Sequence, residues 1–242
     1  MNITEIKNDL PKTTPLKERM GLFVPDINSN LPNRNGCIYL IIGSPGSGKS
    51  NLLFSTLFKT SKYYRSKFDN IYLVTPESSF LSLMKHPFQA HDKVYHQLTI
   101  EILESIYNEI NELKIEALEE HLPIEHSCII IDDYADSLKE QDIMIFLKSF
   151  LIKSRHLNCF FIFTLQAYNM FPLVLRKLIT NISLFKPKNN AETLTIKTEL
   201  LNMNTDDFQK LYNYVFDKEY NHLDYDTNTQ ELRKNFNLLK IE

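Results

Sequence analysis

Short apolar runs recur along the chain, and most are followed by a stretch with helical spacing. Cys37 to Ile42 is a run bounded by Gly36 and Gly43, which predicts a strand buried on both faces. Ser50 to Phe58 follows with a helical pattern. Asn70 to Val74 reads as a second strand, stopped by Thr75 and Pro76. From Ile100 to Glu120 the residues Ile102, Leu103, Ile106, Ile110 and Leu113 form one stripe, predicting an amphipathic helix. Cys128 to Ile131 is a third strand that runs into Asp132 and Asp133, and Leu138 to Ser154 a second long helix. Cys159 to Phe163 begins a fourth strand ending near Gln166. Pro172 to Leu178 predicts a short helix with Pro in its first turn, and Ile182 to Phe185 a fifth strand capped by Lys186 and Pro187. From Ala191 two helices and a polar, tyrosine-rich tail with room for a hairpin are expected. This alternation implies an α/β fold, a mainly parallel sheet with helices on both faces. In such sheets ligands bind at the carboxyl ends of the strands.

The segmentation follows from the same pattern. Residues 1–35 carry Pro11, Pro15, Pro25 and Pro32 and read as an arm that lies on the domain or reaches a neighbour. Residues 36–190 hold the alternating core, and 191–242 extend it. The 242 residues suit one such domain. The first residues are polar and lack the apolar stretch of a signal peptide, and no run of about 18 apolar residues predicts a membrane span. Net charge is −3, so no general basic footprint for nucleic acid is present. A contact made by a few Lys or Arg per subunit, as in the pore of a ring, needs none. Cys37, Cys128 and Cys159 each border an apolar run without ligand spacing, which fits buried thiols in a reducing compartment.

The chemistry concentrates in one loop. Gly43, Ser44, Pro45, Gly46, Ser47, Gly48, Lys49 and Ser50 match G-x-x-x-x-G-K-[ST] at every position, with Asn51 next. The chain has only five glycines, and three fall here, so the pattern is not a by-product of a glycine-rich composition. Glycines let backbone N–H groups turn toward phosphate oxygens, and the following helix presents its positive end to the same anion. Lys49 would reach the β- and γ-phosphates of ATP, and the Ser50 hydroxyl would ligate Mg²⁺.

Asp132 and Asp133 end a buried strand, as metal-binding and water-activating carboxylates do beside such a loop. Asp132 would hold Mg²⁺ through water, and Asp133 would deprotonate the attacking water. Gln166 ends the next strand and suits either a γ-phosphate sensor or a loop contact. Arg155 is either a finger entering a neighbour's site or a solvated residue at a helix C-terminus. Arg176 is a second finger candidate. His86, His91 and His96 do not share a helix face and read as non-ligands. Tyr212, Tyr214, Tyr220 and Tyr225 suit stacking on bases or packing on the domain. Lys186 and Lys188 would face DNA or solvent, with solvent the preferred reading.

The combined set resembles a known family. Gly43 to Ser50, Ile129 to Asp133, Ser154 to Gln166, and Pro172 with Arg176 to Asn181 are similar to the genome-packaging ATPases of large DNA viruses and virophages, within the FtsK–HerA superfamily. The resemblance spans roughly residues 37–190. It implies a RecA-like P-loop NTPase of the additional-strand class, with the fourth strand between those of the P-loop and of Asp132. It also implies a homo-oligomeric ring of about five or six subunits that drives double-stranded DNA into a preformed capsid. Docking on capsid or vertex proteins, in the virion or in viral factories of the host cytoplasm, follows from the same likeness. Arg155 would then be the finger, acting in trans, and Gln166 the sensor. Asp133 departs from the Glu frequent in that superfamily. Two other readings stand beside it. One is a small-molecule kinase, which would pair the P-loop strand directly with the Asp132 strand. The other is a nucleotide-binding virion scaffold without motor activity.

Overall fold

Each predicted apolar run is a strand whose alternate side chains enter two different cores. The computed structural model describes residues 27–60 and 62–240. In β1 (Ile38–Ile42), Ile38, Leu40 and Ile42 face one core, and Tyr39 and Ile41 the other. β2 (Asn70–Val74) divides likewise, β3 (Val94–Tyr95) is a short edge strand, and β4 (Ser127–Asp132) puts Ile129 and Ile131 opposite Cys128 and Ile130. In β5 (Cys159–Leu165) Phe161 and Phe163 oppose Phe160 and Ile162, and β6 (Asn181–Phe185) completes the parallel set. Burial on both faces explains why these segments read as continuous apolar runs. Each fully buried large apolar side chain contributes about 1.5–3 kcal/mol.

One core is roofed by the Ile100–Glu119 and Gln141–Lys153 helices together with the C-terminal Asn190–Leu200 and Thr205–Val215 segments. The other is roofed by the helix after the P-loop and by Ile27, Leu31, Tyr64 and Phe68. Residues 27–35 thus lie on the domain: the Tyr64 hydroxyl donates to the Pro32 carbonyl at 2.7 Å, and Asn35 is buried against Asn158. The remainder of the expected arm, residues 1–26, lies outside the described residues.

Several elements differ in extent from the sequence reading. The expected Leu138–Ser154 helix is a single turn at Ser137–Lys139 and then the Gln141–Lys153 helix, because Glu140 between them is extended (ψ 131°). Pro172 precedes the Leu173–Arg176 turn with ψ 134° and caps it from outside, so Pro does not occupy the first turn. The tail contributes three antiparallel strands, β7 (His222–Asp226), β8 (Leu232–Lys234) and β9 (Asn237–Leu238). Its polar alternation conceals them: Asp224 is buried in the sheet because the Ser183 hydroxyl, His222 and the Phe236 amide all bond to its carboxylate.

The sheet order is β3-β2-β4-β5-β1-β6-β7-β8-β9. β5 lies between β1 and β4, parallel to both. This is the additional-strand arrangement, and it removes the kinase reading, which requires β1 and β4 to be neighbours.

Candidate functional site

The parallel strands deliver their functional residues to one edge of the sheet. The loop after β1 begins at Gly43, whose N–H donates to the Leu165 carbonyl of β5 at 3.0 Å. A Cβ on Gly43 would collide with the Ser47 hydroxyl and would lie 2.8 Å from the Phe185 Cβ, so only glycine fits there. Gly46 (φ 78°) and Gly48 (φ 106°) take backbone conformations that L side chains rarely adopt. The Ser47 hydroxyl is buried and finds no hydrogen-bond partner among the described residues. The helix over Asn51–Leu57 is widened to i→i+5 bonding, seen where the Phe58 N–H reaches the Leu53 carbonyl at 3.1 Å. Such widening is frequent at functional sites. Its buried Leu52, Leu53, Phe54 and Leu57 seat it on the sheet, while Ser50 and Asn51 stay exposed at its start.

The Lys49 ammonium donates to the Gly43 carbonyl and, at 3.4 Å, to that of Ser44. Burial pushes its pKa down, opposed by the nearby carboxylates of Asp133 and Asp132. Asp132, at the end of β4, is only 6% exposed. It accepts from the Thr75 hydroxyl at 3.0 Å and from the Thr164 hydroxyl. Burial raises its pKa, and those two hydrogen bonds pull it back. Asp133 has φ 59°, uncommon for a residue with a side chain although tolerated by Asp. Its N–H bonds to the Thr164 hydroxyl (3.1 Å) and carbonyl (3.3 Å). Gln166 donates from Nε2 to Asp133 Oδ1 at 3.2 Å. A single hydroxyl, that of Thr164, therefore holds the Asp132 carboxylate and the Asp133 backbone, while Gln166 bonds the Asp133 carboxylate. Thr75 was legible only as a strand stop and Thr164 only as part of a strand; their position at the carboxyl ends of strands flanking Asp132 is the signal that would have found them.

The residues present fit a nucleoside triphosphate and a magnesium ion. An unpartnered buried hydroxyl and two positive-φ glycines line the loop. Asp132 retains lone pairs beyond the two that Thr75 and Thr164 occupy. Among the described residues no cluster of three or more His, Cys, Asp or Glu could cage a metal ion. Magnesium held by one or two side chains plus phosphates needs no such cluster.

A cavity of about 640 Å³ lies over Ser44 to Ser47, closed by Phe185 to Lys188 and by the Phe216–Asn221 turn. Lys186 and Lys188 are solvent-exposed and at the same time line this cavity, and Lys188 acts electrostatically on Lys49.

The other candidates lie elsewhere. Arg155 precedes β5 at the amino end of the strands, its backbone packed against Gly36. The seven residues of β5 span roughly 23 Å. The structure therefore does not bring Arg155 to the P-loop of its own chain. Arg176 is committed within the chain: it bonds both Glu199 oxygens (3.1 and 3.0 Å) and the carbonyls of Phe171 and Asn169, and stacks over Tyr168 at 4.8 Å. It clamps the Leu173–Arg176 turn to the following helix, which removes it as a finger candidate. His86 sits among Phe80, Phe54 and Phe88. Tyr212 and Tyr225 pack on the core, whereas Tyr214 and Tyr220 are exposed.

Strand order and phosphate loop define a P-loop NTPase with the additional strand. The family model for the Poxvirus A32 protein matches residues 30–223, and the chain belongs to that family. No curated protein matches by sequence. Among solved structures, the chain is similar to B204, the DNA-packaging ATPase of Sulfolobus turreted icosahedral virus (TM-score 0.58, 19% identity, 86% of this chain and 98% of that one). The B204 genome-packaging NTPase of Sulfolobus turreted icosahedral virus 2, in complex with AMPPCP, gives TM-score 0.53 at 15% identity over 86% and 100%. EssC (ATPases 2 and 3) of Geobacillus thermodenitrificans gives 0.53 at 18% identity over 70% and 35%. These likenesses share the fold. No helix among the described residues is long and apolar enough to cross a membrane.

Proposed function

We propose that this protein is a genome-packaging ATPase, a subunit of an oligomeric motor that drives double-stranded viral DNA into a preformed capsid. The observation that carries the reading is the convergence of the P-loop, Asp132, Asp133 and Gln166 at the carboxyl ends of β1, β4 and β5 in a member of the A32 family. The packaging function named for the two B204 proteins supports it.

In this reading Gly43 to Asn51 hold ATP, with the loop N–H groups and Lys49 on the β- and γ-phosphates. Ser50 and Asp132 hold Mg²⁺, whose charge offsets that of the phosphates. Asp133 takes the proton of the attacking water, and Gln166, bonded to Asp133, orients that water and the γ-phosphate. Arg155, on the far end of the sheet, serves a neighbouring subunit and neutralises charge developing in the transition state. Sites shared in this way need a closed assembly, for which a ring of about five or six subunits is the expected form. Capsid or vertex proteins dock it, in the virion or the viral factory.

The test is steady-state ATP hydrolysis with and without long double-stranded DNA across a protein-concentration series. Turnover rising with both supports the motor. Turnover indifferent to both, or nucleotide binding and assembly without turnover, turns the reading to a scaffold subunit. Arg155→Ala is expected to leave nucleotide binding by the monomer intact and to cut turnover of the assembled form about a thousandfold; normal turnover removes Arg155 from the finger role.

A further inference from the structure

Tyr220 borders two cavities that flank the phosphate loop. One is the 640 Å³ space over Ser44 to Ser47, and the other, about 360 Å³, lies over Gly48, Asn51 and Leu52. Their combined size is that of ordinary small-ligand sites. The Tyr220 ring edge stands 3.3 Å from where a Cβ on Gly48 would be, so the ring lies directly beside the loop.

The backbone beneath this ring is strained and firmly anchored. Tyr220 has φ 64°, a costly conformation for an aromatic residue. Several neighbouring polar side chains are committed to one another. Asn221 donates to Asp217 at 2.7 Å, Asn235 donates to Asn221 at 2.7 Å, and Lys234 bonds Asp217 at 2.6 Å. His222 bonds Asp224 at 2.7 Å and packs its ring on Phe185 and Phe236. Tyr220 itself is 64% exposed and makes no hydrogen bond or ring contact among the described residues. An uncommitted aromatic face, held in a strained conformation at the mouth of a phosphate loop, suits a flat apolar ligand group located one ribose away from the phosphates.

We infer that Tyr220 is the platform on which the base of a bound purine nucleoside triphosphate stacks, with the base lying in the cavity between the 217–221 turn and the 185–188 loop. This rests on the P-loop reading and adds to it a residue from the C-terminal extension. Stacking reads the area of a ring rather than its hydrogen-bonding edge, so purines are favoured over pyrimidines.

The test separates base from phosphate. The chain contains no tryptophan, so Tyr220→Trp supplies a sole reporter at this position. ATP is expected to quench its fluorescence, and tripolyphosphate with magnesium to leave it unchanged while competing with ATP. In calorimetry, Tyr220→Ala should weaken ATP roughly tenfold or more and leave tripolyphosphate affinity unaltered, and Tyr220→Phe should bind as the parent does. The proposal is overturned by an alanine variant that keeps full ATP affinity, or by one that loses ATP and tripolyphosphate equally. A parent that binds tripolyphosphate but shows no quench in the Trp variant also overturns it, leaving the P-loop reading intact. A parent that binds neither ligand overturns both.

Discussion

The two halves of the nucleotide site are built in opposite ways. The phosphate half comes from one contiguous loop, two acids and two threonines, all at the carboxyl ends of parallel strands and nearly all hydrogen-bonded. The base half is assembled from the 185–188 loop and a turn about thirty residues later, and its central ring makes no hydrogen bond or ring contact among the described residues. Phosphate binding is demanding because charge must be met by fixed N–H groups and a lysine, and a short loop delivers these together. A base needs only a flat apolar surface nearby, which any element that reaches the spot can supply.

The comparison can be broken most severely at Lys49. Lys49→Ala is expected to lower turnover about a thousandfold and to weaken ATP and tripolyphosphate alike, measured by steady-state hydrolysis and calorimetry. A loss confined to ATP would mean that the two halves are not separable. Asp133→Asn should keep ATP affinity and slow hydrolysis on the order of a hundredfold in single-turnover assays; unchanged chemistry would leave Asp133 without its role as base.

Thr164→Val sharpens the picture of the phosphate half. It removes the hydroxyl that serves Asp132 and the Asp133 N–H, leaving a buried carboxylate oxygen short of a donor. A loss of about 1–3 kcal/mol of stability is expected in denaturant titration, together with weaker magnesium-dependent ATP binding. A neutral result would show that the two acids hold their positions unaided.

The effect with least bearing on nucleotide binding concerns the seat of the phosphate-loop helix. Phe54 of that helix packs on His86, with ring centroids 4.5 Å apart. Burial pushes the His86 pKa down from 6.5 to about 4, and its Nδ1 accepts from the Phe88 N–H, which requires the neutral ring. The unfolded chain takes up a proton near 6.5 while the folded protein resists until about 4. Stability is therefore complete above 6.5 and is lost as pH falls through that window, by at most about 1.4 kcal/mol per pH unit. His86→Asn keeps an acceptor for Phe88 and should flatten this part of the melting-temperature profile without changing the preference between ATP and tripolyphosphate.

The sequence by itself determined the parallel core and the phosphate loop. Both are local: a buried strand is an apolar run, and a phosphate loop needs its glycines, lysine and serine in fixed succession. Asp132 and Asp133 were legible for the same reason, as acids directly ending such a run. Of the antiparallel strands β7 to β9 only room for a hairpin was legible, because their buried Asp224 and His222 are satisfied by Ser183, remote in sequence, and by Phe236 further along the tail. Only tertiary structure decided that Thr164 serves both acids, that Arg176 is a clamp on Glu199, and that Tyr220 stands beside Gly48. Each depends on a side chain meeting a group that chain spacing does not bring near; strand order and the crossovers between strands do.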